Sequence, residues 1–589
     1  MKIKHFFSTI TGMLIVGMMP LNSCKKVLDL KPQSAFDESY VFSNVANVTS
    51  AVYGVYASLA TAWGGGLASY GYDSDEFTNY VSAPSDNGIG DVCRYKATPT
   101  NSFLPGVFNA LYSGIERANI CIKDIPKMDM YKNGAATDKA QLQRLYGEAL
   151  TLRAEFYFDL IRNWGDVPAP FVPSIDQNSL NLPKTDRDVI YDHIIADLLT
   201  AENLVPWRND AGVAVDERIT KGAVKGLRAR FALFAGGYSL RKSKTMERRT
   251  DYLKLYQIAH DECAGIMARA DIHSLNPSFQ SVWKDAVMNF KIEPRGEVLF
   301  EIAFGQGAYG KIGYKDGPRF YVPGITTQLG SGGVRALPTY FYSFNPVDTR
   351  RDVTIATYYL NPDKSVAVQA ILDATSGKYR PDWLNPYPAS ANQFLGINWY
   401  MLRLSDVLLM FAETDNEINN GPTAAGINAY EAVRKRAFAG NIGQMGVTPT
   451  THDAFFQAIV NERHYEFGGE GLRKFDLIRW NLIAATFTQM HIDLNAMTIG
   501  AAPYNLLPKV MWYKTGQTTP VYGNSLYAPT PAGAVPTGYL TANWVVKGFK
   551  YTNYANFIAQ NFTPNHSELL PLPQSLLDSD PNVHQDYGY

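Results

Sequence analysis

The chain reads as a mainly α protein with long decorated loops, and three observations lead there. Four blocks between residues 140 and 270 carry apolar residues at three- and four-residue spacing, the stripe of an amphipathic helix. Helical patterns return at 399–419, 423–438 and 452–481. The stretches 305–395 and roughly the last hundred residues are rich in Gly, Pro, Asn and Tyr, typical of loops with some strand. Helices of similar length with short links predict antiparallel hairpins stacked as a solenoid, although no clean repeat period emerges.

Taken in order, Met1–His5 is a basic head, Phe6 to Met19 is mostly apolar, and Leu21-Asn22-Ser23-Cys24 follows. An apolar run this short reads as a secretory leader rather than a spanning helix. Leu21 three places before Cys24, with small Ser23 beside it, resembles a bacterial lipobox. That predicts removal of residues 1–23 as a signal peptide and acylation of Cys24. Each buried CH₂ adds about 0.8 kcal/mol, so several chains (palmitate among them) would anchor firmly. Residues 25–35 read as a tether.

The first helix is predicted from Ala140 to Trp164, with Leu142, Leu145, Ala149, Leu152, Phe156 and Leu160 on one stripe and Gly165 and Pro168 ending it. Thr185-x-x-Asp188 predicts the start of a second, through Ile190, Ile194, Leu198 and Leu204 to Pro206. A third runs from Thr220 to about Gly236 and a fourth from Thr250 to about Ala270. Glu297 to Phe304 is expected to be a short strand.

Composition narrows the function. The 589 residues are 46% hydrophobic and 19% charged, as in a large folded protein of one or two domains. Formal net charge is −1 and no long basic run exists, so nucleic acid is not an expected partner. Beyond Cys24 stand Cys93, Cys121 and Cys263, too few for a disulfide scaffold and without a Cys-x-x-Cys pair. Nine His show no metal spacing, and neither a metal nor another cofactor is expected. Tyr (36) outnumbers Phe (30), a hint of binding surface as well as core.

Catalytic and nucleotide motifs fail on inspection. Gly305-x-Gly307-x-x-Gly310 follows the expected strand and also nearly matches a phosphate loop with Lys311. Both mechanisms need a helix opening there, and Ile312-Gly-Tyr-Lys-Asp-Gly-Pro-Arg will not form one; Ile312 also replaces the required Ser or Thr. His-Glu-x-x-His and Gly-x-Ser-x-Gly are absent. Glu462, Glu466 and Glu470 could suggest a two-carboxylate hydrolase. Arg463, Arg473 and Arg479 interleave with them, which predicts structural ion pairs instead, and Gly468-Gly469 is expected to break the helix between Glu466 and Glu470.

Four blocks resemble the SusD/RagB family of nutrient-binding outer-membrane lipoproteins of the Bacteroidetes. They are Glu148 to Pro168, with Arg153, Asp159, Arg162 and Gly165-Asp166; Tyr400 to Glu413, with Arg403 and Asp406; and Ile459 to Trp480, containing Glu470-Gly-Leu-Arg473-x-x-Asp476-Leu-x-Arg479. The last closes the chain with Leu570-Pro-Leu-Pro573 and Gln585-Asp-Tyr-Gly-Tyr589. Lys25 and Lys26 depart from the acidic residues such surface lipoproteins tend to carry behind the Cys.

The resemblance implies a tetratricopeptide-like helical superhelix. Its N-terminal region would be 24–270 and its RagB/SusD-like C-terminal region 271–589, packed as one unit. It implies no enzymatic activity but a binder facing the cell exterior, held to the outer membrane by lipid. Such a protein captures oligosaccharides and passes them to a SusC-like TonB-dependent transporter. A peptide-binding member is the alternative, with a surface glycoside hydrolase the outlier. The charged motif residues read as scaffold, and Trp283 as packing. Two loop regions, 63–80 and 309–321, mix aromatic and polar residues. They make Tyr72, Tyr80, Tyr309, Tyr314 and Tyr321 the candidate sugar platform, with Asp75 and Glu76 as hydroxyl acceptors.

Overall fold

The computed structural model describes residues 38–79, 85–210, 216–305, 310–321, 328–386, 393–545 and 558–589. The Cys24 lipobox and the 25–35 tether lie outside them. Helices α1 (Val45–Gly64), α2 (Leu104–Asp124), α3 (Ala136–Trp164), α4 (Arg187–Ala201), α5 (Lys221–Ala235) and α6 (Tyr252–Met267) come first. Next come α7 (Leu404–Asn419), α8 (Ala424–Ala437), α9 (His452–Phe467), α10 (Arg473–Arg479) and α11 (Ile483–Ile499). Each of α1 to α8 packs against the next, and α6 packs on α7 across the long 268–403 segment. This is the tetratricopeptide-like stack, with one apolar core running from Val48 to Val583.

Local chemistry explains the helix ends. The Thr220 side chain caps α5 by accepting from the Ala223 amide, and Gly236 closes it. The α4 cap is Asp186, which accepts from the Asp188 amide, rather than the expected Thr185; Thr185 is taken into a strand with Val167. Close packing of α2 on α3 needs Gly114, where a Cβ would stand 2.4 Å from the Phe156 ring.

Several expectations are corrected. Residues 399–403 are not helix but strand β2 (Trp399–Arg403), antiparallel to β1 (Val298–Ile302), and both are wholly buried. An apolar run of that length fits either state by periodicity, and the partner strand decides it. The 452–481 block is two helices, with the expected break at Gly468-Gly469 extending to Gly471; Gly469 and Gly471 have φ of +79° and +71°. Helices α1, α2 and α11 lie outside the helical blocks that the sequence predicts. Small sheets gather the loop strands: one orders 77–78, 335–336, 375–376 and 355–356; the other orders 366–368, 358–360, 320–321 and 328–330. The hairpin β3 (Val510–Lys514) and β4 (Tyr539–Asn543) lies in the C-terminal loops.

The chain end straps onto α3. The Trp164 indole donates to the Pro571 carbonyl at 3.1 Å, and the Leu570 amide to Asn163 at 2.7 Å. Arg187 binds Asp166 at 2.9 Å and donates to the Tyr587 hydroxyl, which joins the Gly-Asp and terminal Tyr motifs. Cys93, Cys121 and Cys263 are buried, and no disulfide joins them among the described residues. No described helix is long and apolar enough to cross a membrane.

Candidate binding cleft

Charged motif residues form buried networks behind the cleft. Glu466 accepts from Arg436 at 2.6 Å, Arg403 at 2.9 Å and Arg350 at 3.1 Å. Burial alone would raise its carboxyl, but those guanidiniums outweigh burial and hold it well below the ordinary carboxylate range. Glu470 accepts from Arg403 and from Lys378, both at 2.6 Å, and Glu462 from Arg350 at 2.6 Å. Burial lowers the Lys378 amine to about 8 against the pull of Glu470. The three glutamates are thus structural as expected, but their partners come from distant segments and not from the interleaved arginines. Arg463 instead joins Asp406 (2.6 Å) to Asp476 (2.8 Å), and Arg479 holds Asp476 and Glu413. Trp283 is fully buried, packed on Tyr400 and Tyr379.

That framework positions a cleft of about 480 Å³. The 67–79 loop docks on the glycine turn after α9, where a Cβ on Gly71 would stand 2.3 Å from the Gly471 carbonyl oxygen. The contact carries Asp75 to Arg473, whose Nε and Nη2 each donate to it at 2.9 Å. Burial pushes the Asp75 carboxyl up, but Arg473 and then His464 hold it at about 2. Beside it His464 Nδ1 lies 3.4 Å from Glu76, and burial raises the Glu76 carboxyl. Tyr340 closes the floor by donating to the His464 carbonyl at 2.9 Å.

The walls are aromatic and amide-bearing. Tyr342, Tyr504 and Tyr527 line the cleft part-exposed, and the Tyr342 and Tyr527 rings meet edge-on at 5.7 Å. The Tyr342 hydroxyl is fixed by the Trp544 indole at 2.7 Å. Helix α11 presents Thr486, Gln489, Met490 and Asp493 on one face, with Gln489 donating to Asp493 at 3.1 Å. Burial, helped by Asp493, pushes the Tyr504 phenol up to about 12, so it stays a neutral donor. Flat apolar rings edged by carboxylate, amide and hydroxyl groups suit a ligand with C–H faces and many hydroxyls.

The sequence-derived platform is only partly assembled. The two loop regions do meet, because the Tyr72 hydroxyl donates to Asp316 at 2.5 Å, with burial raising the Asp316 carboxyl to about 6. That contact corrects the role given to Tyr72, which is 3% exposed, its ring packed on Phe77 and Trp399. Glu76, also 3% exposed, is likewise withdrawn from solvent. Asp75 reaches the cleft, though Arg473 engages both of its oxygens. Tyr314 is half-buried, and Tyr321 is 36% exposed on the 320–321 strand of the second sheet. Tyr80 and Tyr309 lie outside the described residues, as do 306–309 of the glycine motif. No helix follows Gly310, in accord with the rejected phosphate loop. Tyr342, Tyr504, Tyr527, Gln489 and Asp493 were missed. The 486, 489, 490, 493 spacing was the available signal on α11, whereas nothing local ties Tyr504 or Tyr527 to that helix.

A stack of helical hairpins bearing a cleft on its loop-rich side defines a helical-repeat protein of the tetratricopeptide-like class. The chain belongs to the SusD/RagB family. A family model described as "SusD family" matches residues 297–589, and one described as "Starch-binding associating with outer membrane" matches 26–233. SusD-like protein P25 of Formosa agariphila is 24% identical over 528 residues, covering 82% of this chain and 92% of that protein. A SusD homolog from Bacteroides thetaiotaomicron superposes with TM-score 0.74 at 23% identity, over 93% of this chain and 97% of that one. A structure described as a laminarin binding SusD-like protein gives TM-score 0.62 at 20% identity, over 93% and 100%.

Proposed function

We propose that the protein is a glycan receptor that binds an oligosaccharide along the Tyr342, Tyr504 and Tyr527 cleft. It is anchored through Cys24 in the outer membrane, faces the exterior, and delivers its ligand to a SusC-like TonB-dependent transporter. The observation that carries the reading is the pairing of part-exposed tyrosine rings with Asp75, Gln489 and Asp493 in a cleft of about 480 Å³, a size suited to a small ligand. The names of similar structures support it: one binds laminarin, and another, surface glycan-binding protein A from Bacteroides thetaiotaomicron, is in complex with laminarihexaose. Tyr314 and Tyr321, in the second loop region, are further candidate contacts.

Binding without turnover is the expected chemistry. Rings stack on sugar C–H faces, and the polar edge exchanges water for hydroxyls without a bond being broken. Calorimetry against neutral β-glucan and xyloglucan oligosaccharides, with Tyr504→Ala and Tyr527→Ala beside the wild type, tests this. Equal affinity in all three proteins would move the site elsewhere. Release of reducing ends from a labelled polysaccharide would make the protein an enzyme, and displacement of the sugar by peptides would favour a peptide receptor.

A further inference from the structure

A second cleft, of about 530 Å³, lies on the helical side between α1, the start of α3 and the segment that follows α4. Its charge is opposite to that of the first. Asp75 and Asp493 line the Tyr504 cleft without a lysine or arginine, whereas Arg144 and Arg218 line this one without an acidic residue. Among the described residues the carboxylate they share is Glu148, which is fully buried beneath them. Arg218 clamps it through Nη2 at 2.6 and 2.7 Å, and Arg144 reaches it through Nε at 2.9 Å. Two guanidiniums on one carboxylate leave one positive charge uncompensated at the wall.

The two arginines are not equally occupied. Arg218 also donates to the Tyr53 hydroxyl at 2.9 Å, and its guanidinium lies 5.0 Å from the centre of the Tyr53 ring. Arg144 Nη2, by contrast, is buried with no hydrogen-bonding partner among the described residues. A buried charged donor without an acceptor is costly, and a planar fork beside a spare charge matches a carboxylate. Around it stand Thr49, Gln141, Gln143 and Asn203, hydroxyl and amide groups suited to sugar hydroxyls, and Tyr53 exposes 49% of its surface.

We propose that this cleft is a second glycan site, specific for an acidic sugar, in which Arg144 binds the carboxylate of a uronic acid residue. Tyr53 supplies the ring face, and the amides of Gln141, Gln143 and Asn203 hold the hydroxyls. The site is separate from the Tyr504 cleft and stands whether or not that cleft binds a neutral glycan.

The test is calorimetry on the full-length chain in detergent, titrated with oligoglucuronate and oligogalacturonate, a neutral oligoglucose of equal length, and a short polyglutamate peptide. A uronate should bind, weaken several-fold between about 50 and about 300 mM salt as one screened charge requires, and lose at least about tenfold in affinity in Arg144→Lys, which keeps the charge but not the fork. Gln143→Glu places a like charge at an exposed helix position that the fold does not need, and should abolish uronate binding with melting unchanged. Tyr504→Ala should leave it intact. Uronate affinity unchanged in both Arg144→Lys and Gln143→Glu would overturn the assignment, as would equal affinity for the neutral oligosaccharide. Tighter binding of polyglutamate than of either uronate would overturn the sugar specificity.

Discussion

Replacing Glu466 with Gln removes one charge from the centre of the buried network while keeping the side chain's shape. Breaking a buried ion pair costs about 3–5 kcal/mol when a charge is left alone. Here no arginine is left alone. Arg403 keeps Glu470 and Glu297, Arg436 keeps Glu297, and Arg350 keeps Asp348 and Glu462. The cost therefore belongs at the lower end, about 3 kcal/mol at pH 7. With an unfolding entropy of about 2.1 cal/mol/K per residue over about 550 residues, that is a fall in Tm of about 2.5 °C if the chain melts as one unit. The pH dependence adds a sharper check. The folded Glu466 carboxyl is held below its ordinary value, so its contribution is full above the unfolded pKa of about 4.3 and is lost as pH falls below it. At about 1.36 kcal/mol per pH unit, about 1.8 kcal/mol of the wild-type advantage is gone at pH 3, leaving about 1 kcal/mol. Calorimetric melting of both proteins at pH 7, 4 and 3 reads this directly. Equal Tm values at pH 7, or a gap that does not narrow with acid, would refute the account of Glu466 as an ionised hub.

Arg463→Ala strips a shared partner from Asp406 and Asp476, which keep Arg230 and Arg479, and should cost about 3 kcal/mol of stability with ligand affinity unchanged, read by melting and calorimetry together. Tyr72→Phe leaves the buried Asp316 carboxyl without its donor and should cost about 1–3 kcal/mol without weakening glycan binding, which separates a packing tyrosine from a binding one. Tyr504→Ala should do the reverse, costing about 1–3 kcal/mol of affinity by analogy with bases stacked on aromatic rings, with melting unaltered. Cys24→Ala should abolish palmitate labelling and shift the protein from the membrane to the soluble fraction or leave its leader uncut; labelling that persists in the variant would remove the anchor from Cys24.

The sequence by itself determined the helical stack and its family. The stripes of α4 and α6 are set by residues three and four apart, so periodicity gives both the helix and the face it buries, whereas in α3 and α5 it gives the helix only, because residues 147–164 and nearly all of α5 are buried on every side. The scaffold role of Glu462, Glu466 and Glu470 is legible too, because arginines crowd these carboxylates in and just after an amphipathic helix. What periodicity cannot supply is the partner. Trp399–Arg403 became a strand because β1 was there to pair with it, and Glu466 found its arginines at 350, 403 and 436 rather than on its own helix. The candidate site shows the limit most clearly. Tyr72 and Glu76 sit in a glycine-rich, polar stretch that reads as an exposed loop, yet the 67–79 segment is pressed onto the Gly471 turn and both side chains are buried. Tyr342, Tyr504 and Tyr527 are separated by up to 185 residues of sequence and share a cleft only because α11 and the C-terminal loops pack beside the 338–343 helix. Exposure of a ring depends on what folds over it, and contacts so distant in sequence leave no local pattern.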